Sequence, residues 1–309
     1  MHKAVLLNEV IEFLKPQSGG VYFDGTFGGG EHTQSILNKT HHQCRVIAVD
    51  QDLEAIQRAS VVSQDKTRDL RKNLHLIHDN FKNIKLILKS LEIEKIDGIL
   101  LDVGVSSFQL EDGKRGFSFL EEGPLDMRMN THNKTTAGDI LNKNSEQELA
   151  RIFYEYGEEK ESRRIAKKII EERPIHTTLE LVSIIKKIKG PGKPGKHPAT
   201  QIFQALRIAV NEELESLKEV LHNGLDVLKE GGRFCVISFH SLEDRLVKQT
   251  FAYAEKECVC PDDFPVCRCH KKCTVKVLTK RPITPSREEL FHNPRARSAK
   301  LRVAERVCL

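Results

Sequence analysis

The stretch Val21–Thr33 reads VYFDGTFGGGEHT, and a second apolar run, RVIAVD, follows it over Arg45–Asp50. The first run is β-branched and aromatic, then passes through Asp-Gly to the consecutive glycines Gly28–Gly30, which predicts a strand, a tight turn and a helix. Glycines in such a turn let backbone N–H groups approach a ligand closely. Nucleotide-binding α/β folds hold a ribose with an acidic residue about 20 positions further on, after the next strand. Asp50 has that position.

The glycine loop favours a nucleoside ligand that lacks phosphate. The dinucleotide fingerprint G-x-G-x-x-G needs a third small residue, and the matching position, counted from Gly28 and Gly30, is Thr33. Glu31 stands where a pyrophosphate would settle, and a carboxylate repels phosphate unless a cation intervenes. S-adenosylmethionine carries an adenosine, a sulfonium cation and an amino-acid tail, so acidic residues around the loop would attract it. A turn that serves only chain geometry is the alternative.

Composition limits the class of protein. The chain has 309 residues, of which 39% are hydrophobic and 30% charged, as expected for one large globular domain and a smaller one. A net charge of +5 permits a polyanionic partner without requiring one. No apolar run approaches the ~18 residues of a membrane span, so we expect a cytoplasmic protein without a membrane partner. The oligomeric state is left open, a homodimer included.

Alternating strand and helix patterns predict an α/β fold with a parallel, doubly wound sheet. The first four predicted strands are Val21–Phe23, Val46–Val49, Leu74–Ile77 and Gly98–Val103. A purely helical pattern over Ala137–Lys189 then separates them from three more, Phe234–Ser238, Val275–Leu278 and Leu301–Ala304. We therefore predict a helical domain at residues 111–198, inserted into a sheet domain formed by residues 1–110 and 199–309.

Four segments should meet at the carboxyl ends of the strands, where open α/β sheets bind ligands. They are the glycine loop, Asp50, Asp79–Phe81 and Asp102–Gln109. Asp79 could hydrogen-bond an adenine, and Phe81 could stack on it or serve as a core residue. Asp102 ends an apolar strand, so its burial requires a partner, either a ligand cation or nearby backbone amides.

Longer motifs are far more specific than the glycine loop. LLDVGVSS lies at residues 100–107, PLDMRM at 124–129 and SFHSLEDR at 238–245. With DGTFGGGEHT and NPRARSAKLRVAER they resemble, in order along the whole chain, the bacterial ribosomal RNA small subunit methyltransferase H family. The resemblance implies methylation of the N4 amine of a cytosine in 16S ribosomal RNA, free or in the 30S subunit. It also implies a class I (Rossmann-like) methyltransferase sheet, an inserted helical substrate domain and S-adenosyl-L-methionine as cofactor.

Carried over position by position, the resemblance implies a set of cofactor contacts. These are Gly30, Glu31, His32, Asp50, Phe81, Asp102 and Gln109. Glu31 departs from the family pattern, which usually has a glycine there, so the resemblance supports a backbone contact at this position. The segment 130–136 also lacks the usual Asp-Pro start of the family.

Methyl transfer to cytosine N4 needs a hydrogen-bond acceptor near the amine. The reaction is an in-line displacement in which positioning does most of the work, but the amine is a weak nucleophile because its lone pair is delocalised. An acceptor must therefore draw on its N–H as the bond to carbon forms. The candidates are Asp102, Ser106, Ser107, Asp126 and His240. The sequence does not rank them, since the serines and His240 could be helix caps and Asp126 could pair with Arg128.

Two basic runs are candidates for contact with RNA phosphates. Arg295, Arg297 and Lys300 lie in the family motif near the C-terminus, which favours RNA binding for that run. The second run, Lys186–Lys196, lies on and beside a Gly/Pro linker. Either run could instead be solvated surface.

Cysteines cluster between the fifth and sixth predicted strands. Cys258, Cys260, Cys267, Cys269 and Cys273 accompany His270 there. Paired C-x-C units can bind zinc, although their spacing differs from the usual C-x2-C pairs. Free thiols are the interpretation that we favour, so the sequence leads us to predict no metal-binding residue.

Two other functions compete with the ribosomal RNA methyltransferase. A DNA amino-methyltransferase is disfavoured because the prolines that follow strand four in such enzymes are missing. A noncatalytic RNA-binding assembly factor is disfavoured because Asp50 and Asp102 are intact.

Overall fold

The computed structural model describes residues 4–63, 73–192, 197–261 and 266–308. They form two compact units, one comprising Met1–Gly104 and Glu215–Leu309, the other Val105–Leu214. Helices in chain order are α1 Leu7–Leu14, α2 Glu31–Lys39, α3 Leu53–Ser63, α4 Ile84–Ser90, α5 Ser107–Glu111, α6 Ala137–Lys143, α7 Glu146–Glu155, α8 Ser162–Glu171, α9 Thr178–Lys189, α10 Thr200–Asn211, α11 Glu213–Val227, α12 Ser241–Glu255 and α13 Arg287–His292. Within the described ranges, no helix is long and apolar enough to cross a membrane.

The first unit contains a seven-stranded sheet. Its strands are β1 Val21–Asp24, β2 Arg45–Asp50, β3 Leu74–His78, β4 Ile96–Asp102, β5 Leu228–Ser238, β6 Val275–Val277 and β7 Lys300–Arg306. Their order is β3-β2-β1-β4-β5-β7-β6. All seven predicted strands are present, and the α/β class is confirmed. The prediction of a wholly parallel sheet is wrong at β7, which pairs antiparallel with both β5 and β6.

Hydrophobic packing covers both faces of the sheet. Alternate residues of one strand join different clusters, so that Ile99 and Leu101 of β4 pack on one side and Leu100 on the other. Phe234 and Cys235 of β5 divide in the same way. Because side chains alternate along a strand, a strand covered on both faces must be apolar at nearly every position. This explains the unbroken apolar run GILL in β4.

The second unit is helical and has its own core. Reciprocal capping boxes start several of its helices, with Ser145 and Glu148 at α7 and Thr177 and Glu180 at α9. Phe153 and Leu206 are fully buried in a cluster formed within the unit. The unit begins before and ends after residues 111–198, because α5 and α10 belong to it.

Candidate active site

Three carboxylates end neighbouring strands of the sheet. Asp24 is the last residue of β1, Asp50 of β2 and Asp102 of β4. The strand order places β1 between β2 and β4, all three parallel, so their carboxyl ends share one edge. The prediction that Asp50 and Asp102 follow their strands at this edge agrees with the geometry, and Asp24 joins them.

Asp24 is held by hydroxyl and amide donors from the glycine loop and α2. Its Oδ2 accepts a hydrogen bond from Thr33 Oγ1 at 2.6 Å, and its Oδ1 accepts one from the Thr26 N–H at 3.2 Å. Burial nevertheless raises the pKa of Asp24 to about 6, because a buried carboxylate loses hydration that two hydrogen bonds only partly replace.

Asp50 anchors the glycine loop. Its Oδ2 accepts a hydrogen bond from the Gly28 N–H at 2.8 Å, and its Oδ1 accepts one from the Asp52 N–H at 2.8 Å. Burial raises its pKa to about 6 against the opposing effect of these two donors. Gly28 has a φ of 53°, and a Cβ there would meet only Thr26 O, at 3.9 Å. The loop therefore leaves open space beside Asp50, as close approach of a ligand requires.

Asp102 is the most strongly perturbed of the three. Burial raises its pKa to about 8, and the negative charges of Asp24 and Glu243 add to the effect. Its backbone N–H donates to Thr26 Oγ1 at 2.6 Å, but among the described residues its buried Oδ1 has no hydrogen-bond partner. An unpartnered buried carboxylate oxygen beside two further acids is a site that a cation would stabilise. The residues present therefore fit the cationic S-adenosylmethionine.

Gly30, Glu31 and His32 form the start of α2. Gly30 is the left-handed residue before the helix, with φ of 81° and ψ of 7°, and Glu31 lies in the first turn. His32 is buried, and its Nε2 lies 3.1 Å from Val5 O, so Nε2 carries the hydrogen. Its Nδ1 lies 3.9 Å from Asp102 Oδ2. His32 therefore borders the carboxylates through its ring.

Phe81 and Asp79 follow β3. Phe81 is 9% exposed and packs in the core cluster that contains Phe23, so little of its ring is free for stacking. Asp79 Oδ1 accepts hydrogen bonds from the Asn80 N–H and from Asn83 Nδ2, each at 2.7 Å. Phe81 is thus a core residue, and Asp79 stabilises the turn that follows β3.

His240 caps α12. Its Nδ1 accepts a hydrogen bond from the Glu243 N–H at 3.4 Å, and its Nε2 lies 2.9 Å from Glu243 Oε1. Glu243 Oε2 in turn accepts from the His240 and Phe239 N–H groups, which completes a capping box. Nδ1 is therefore engaged in the helix cap, whereas the buried Nε2 makes no hydrogen bond to any described residue.

The remaining acceptor candidates lie in the helical unit. Ser106 caps α5, where its Oγ accepts from the Gln109 N–H at 3.2 Å and Gln109 Oε1 accepts from the Ser106 N–H at 3.0 Å. Ser107 is the first residue of that helix and is buried. Asp126 binds Arg128 with both oxygens, at 2.8 and 2.7 Å. Burial would raise the pKa of Asp126, but Arg128 holds it below its usual value.

The C-terminal basic residues divide into two groups. Arg295 and Arg297 are exposed in a short 3-10 turn. Lys300 is half-buried and lies 3.2 Å from Asp244 Oδ2, and the buried Arg302 donates to Asp244 Oδ1 at 2.6 Å.

The second basic run is partly neutralised within the helical unit. Lys187 pairs with Glu172 at 2.9 Å, and Lys189 pairs with Glu159. The lysines at 193 and 196 lie outside the described residues. Cations that already pair with carboxylates offer less attraction to phosphate.

Sequence reasoning missed Asp24, Thr26 and Glu243. Thr26 supplies the acceptor for the Asp102 N–H, and Asp24 and Glu243 supply the charges that perturb Asp102. The only sequence signal for Asp24 is that it directly ends an apolar strand, as Asp50 and Asp102 do.

Comparisons with known proteins extend over nearly the whole chain. The sequence model of the MraW methylase family matches residues 1–307. The chain is 50% identical over 309 residues to Ribosomal RNA small subunit methyltransferase H of Caldicellulosiruptor bescii, with 99% of each chain covered. It is 48% identical to the protein of the same name from Carboxydothermus hydrogenoformans, with 99% of this chain and 98% of that one covered. A solved rRNA methylase from Streptococcus thermophilus is similar over 100% of this chain and 99% of its own, with a TM-score of 0.41 and 12% identity.

Proposed function

The chain belongs to the MraW methylase family, and we propose from this membership that it methylates the exocyclic N4 amine of a cytosine in 16S ribosomal RNA. It is an S-adenosylmethionine-dependent ribosomal RNA methyltransferase. Its relatives carry the name Ribosomal RNA small subunit methyltransferase H. The observation that carries the proposal at the site is Asp102, whose buried oxygen is unpartnered among the described residues and lies beside the glycine loop. The cytosine and its N4 atom follow from the family resemblance.

The cofactor-binding residues have distinct roles in this proposal. When bound, S-adenosylmethionine supplies an electrophilic methyl group on a sulfonium centre. Gly28 leaves room for backbone contact, whereas the Phe27 ring occupies the space beside the Gly30 Cα. Asp50 accepts hydrogen bonds from the ribose while it holds the Gly28 N–H. Asp102 neutralises the cationic end of the ligand, which lowers the pKa of its carboxyl and leaves it ionised. His32 and Glu31 complete the proposed contacts within this unit. Phe81 can contribute only the small part of its ring that is not packed in the core, and the contact of Gln109 rests on the family resemblance alone.

We propose Asp102 as the acceptor for the N4 proton. Asp126 is the weaker candidate because Arg128 occupies both of its oxygens. Ser106 and His240 are engaged in helix caps. An ionised Asp102 would accept a hydrogen bond from the amine and so raise electron density on N4 as the bond to carbon forms. The proton leaves N4 after transfer, with Asp102 or solvent as its first acceptor.

Substrate RNA would contact the protein through two regions. The helical unit, predicted at residues 111–198, is proposed to recognise the RNA, and the exposed Arg295 and Arg297 to bind its phosphates. Lys300 contributes to this surface only if it leaves Asp244. Such a substrate places the protein in the cytoplasm.

A transfer assay tests the proposed function. The protein is incubated with methyl-labelled S-adenosylmethionine and either naked 16S RNA, 30S particles or DNA, and the nucleosides are separated by chromatography against standards of the isomeric methylcytidines. We expect N4-methylcytidine from RNA or particles alone. Asp102→Asn should reduce the rate by about 10²-fold or more, whereas Asp226→Asn, at an exposed residue paired with Lys85, should not.

Each other outcome has a defined meaning. Label in DNA would indicate a DNA amino-methyltransferase. Label at another atom of RNA would overturn the N4 assignment. No transfer to any substrate, with cofactor binding retained, would favour a noncatalytic assembly factor.

A further inference from the structure

Four cysteine thiols converge in the segment between α12 and β6. Cys258, Cys260, Cys267 and Cys269 place their Sγ atoms within 4.8 Å of one another. The individual S–S distances include 3.4 Å from Cys258 to Cys267, 3.5 Å from Cys267 to Cys269 and 3.7 Å from Cys269 to Cys258. Residues 262–265, between the two C-x-C pairs, lie outside the described chain.

These distances match a shared metal better than a disulfide. In a tetrahedral site with Zn–S bonds of about 2.3 Å, neighbouring sulfurs are roughly 3.8 Å apart. A disulfide would bring two sulfurs to about 2.05 Å. All three measured pairs are near the tetrahedral spacing, and the four thiols together equal the ligand number of a closed structural site.

Backbone amides point at the sulfurs. The Val259 N–H donates to Cys269 Sγ at 3.4 Å, the Cys260 N–H to Cys258 Sγ at 3.4 Å, and the Arg268 N–H to Cys260 Sγ at 3.3 Å. Such donors stabilise the negative charge of thiolates, which are the metal-binding form of cysteine. They also fix the direction of three of the four sulfurs, those of Cys258, Cys260 and Cys269, before a metal arrives.

The segment has little hydrophobic packing to hold this arrangement. Cys258 and Cys267 are exposed, and the neighbouring Val259 and Val266 are 39% and 69% exposed. Small loops without a core of their own commonly rely on a metal or on disulfides for order. Because the cysteines here are at metal spacing and unbonded, a metal is the better explanation.

Cys273 provides an internal comparison. It lies four residues beyond Cys269, yet its Sγ donates to Val275 O at 3.1 Å and it is not among the four converging thiols. The cluster is therefore a selective arrangement of four of the five cysteines in this segment.

We propose that Cys258, Cys260, Cys267 and Cys269 bind one structural Zn²⁺ ion. Thiolates select soft metals such as zinc over Mg²⁺ or Ca²⁺. With four protein ligands the ion has no open position, so it orders the connection between α12 and β6 and takes no part in methyl transfer.

Metal analysis of the full-length protein tests the site. After purification under reducing conditions without chelator, we expect about one zinc per chain in the wild type and in Cys273→Ser. In the double variant Cys267→Ser/Cys269→Ser the zinc content per chain should fall at least about fivefold, because two of the four ligands are removed. S-adenosylmethionine binding by each variant serves as a measure of folding.

Cobalt replacement keeps the test informative if the double variant does not fold. Wild-type protein stripped of metal and refilled with Co²⁺ should show the intense visible absorption of tetrahedral cobalt thiolate. Absence of zinc from the wild type, equal zinc in the double variant, or equimolar iron in place of zinc would each overturn the proposal. Cobalt spectra without thiolate charge transfer would do so as well.

Discussion

Asp102 has the most strongly raised pKa of the three acids that end the strands. In the protein without a ligand its pKa is raised to about 8 by burial and by the charges of Asp24 and Glu243, so at neutral pH the carboxyl holds a proton. A cation within about 4 Å stabilises the ionised form and lowers this pKa. Cofactor binding and loss of that proton are therefore coupled.

We predict that binding of S-adenosylmethionine releases a proton near pH 7 and that affinity increases from pH 6 to pH 8. Calorimetry in buffers of different ionisation enthalpy measures the release directly. Asp102→Asn keeps the shape of the side chain but removes its charge, so it should abolish the release from this group and weaken binding about tenfold. Equal proton release by wild type and variant would contradict the role given to Asp102.

The location of a site residue could be predicted where its position in the sequence alone determines it. Asp50 and Asp102 end apolar strands, and the parallel sheet then brings their carboxyls to one edge. The hydrogen bonds that engage Ser106, Asp126 and His240 could not be predicted in this way. They depend on which nearby donors reach the oxygens or nitrogens of each side chain. A sequence supplies candidate partners such as Arg128 but not the geometry that selects among them.

At the scale of elements, β7 is tied to α12 by a buried ion cluster. Arg302 is 7% exposed and binds Asp244 through two nitrogens, at 2.6 and 3.2 Å. Burial would raise the pKa of Asp244, but Arg302 and Lys300 hold it below its usual value. The stabilisation from this carboxylate is therefore present above about pH 4 and lost as pH falls further.

Removing the carboxylate should destabilise the sheet unit strongly. Asp244→Ala leaves the Arg302 guanidinium buried without its partner, and such changes cost about 3–5 kcal/mol. Urea unfolding at pH 7 measures the loss. Asp226→Ala removes an exposed ion pair and should change the free energy of unfolding by less than about 1 kcal/mol. Similar losses in the two variants would refute the argument.

Strand positions were predictable and strand direction was not. The apolar runs located each strand to within a few residues, with the largest difference at β5, which begins at Leu228 rather than Phe234. The run over Leu301–Ala304 looks the same whichever way the strand enters the sheet, because burial on two faces imposes no direction. Only the pairing of Phe234 with Ala304 and its neighbours shows that β7 is antiparallel.

At the scale of the whole molecule, the buried acids make stability depend on pH. Asp24, Asp50 and Asp102 have pKa values of about 6, 6 and 8, above the value of an unfolded chain. A folded state that binds protons more tightly than the unfolded state loses stability as pH rises through the raised pKa. The ligand-free protein should therefore lose stability from these groups between about pH 4 and pH 8.

A pairwise comparison isolates the contribution of Asp102. Without cofactor, the wild type should lose stability from this group between pH 6 and pH 9, and Asp102→Asn should not. The free energy of unfolding of the variant minus that of the wild type should therefore increase over this range by at least about 1 kcal/mol. Unfolding in urea at several pH values provides both numbers. A difference that does not change with pH would show that Asp102 has an ordinary pKa in the folded protein.

The sequence predicts the helical character of the inserted unit better than it predicts the residues at which the unit begins and ends. Its helical periodicity contrasts with the alternation of strands and helices on either side of it. Its edges depend on which helices share its core, and Phe203 of α10 packs there although the prediction placed it in the sheet domain.

The strand-end acids also bear on the search for inhibitors. A thermal-shift screen reports ligands by how much they stabilise the protein, and that stabilisation increases with the affinity of the ligand for the folded form. Above pH 8 the carboxyls that end β1, β2 and β4 are ionised and repel one another, so compounds with an ammonium or sulfonium group should stand out there. The same compounds would give smaller thermal shifts in a screen run at pH 6.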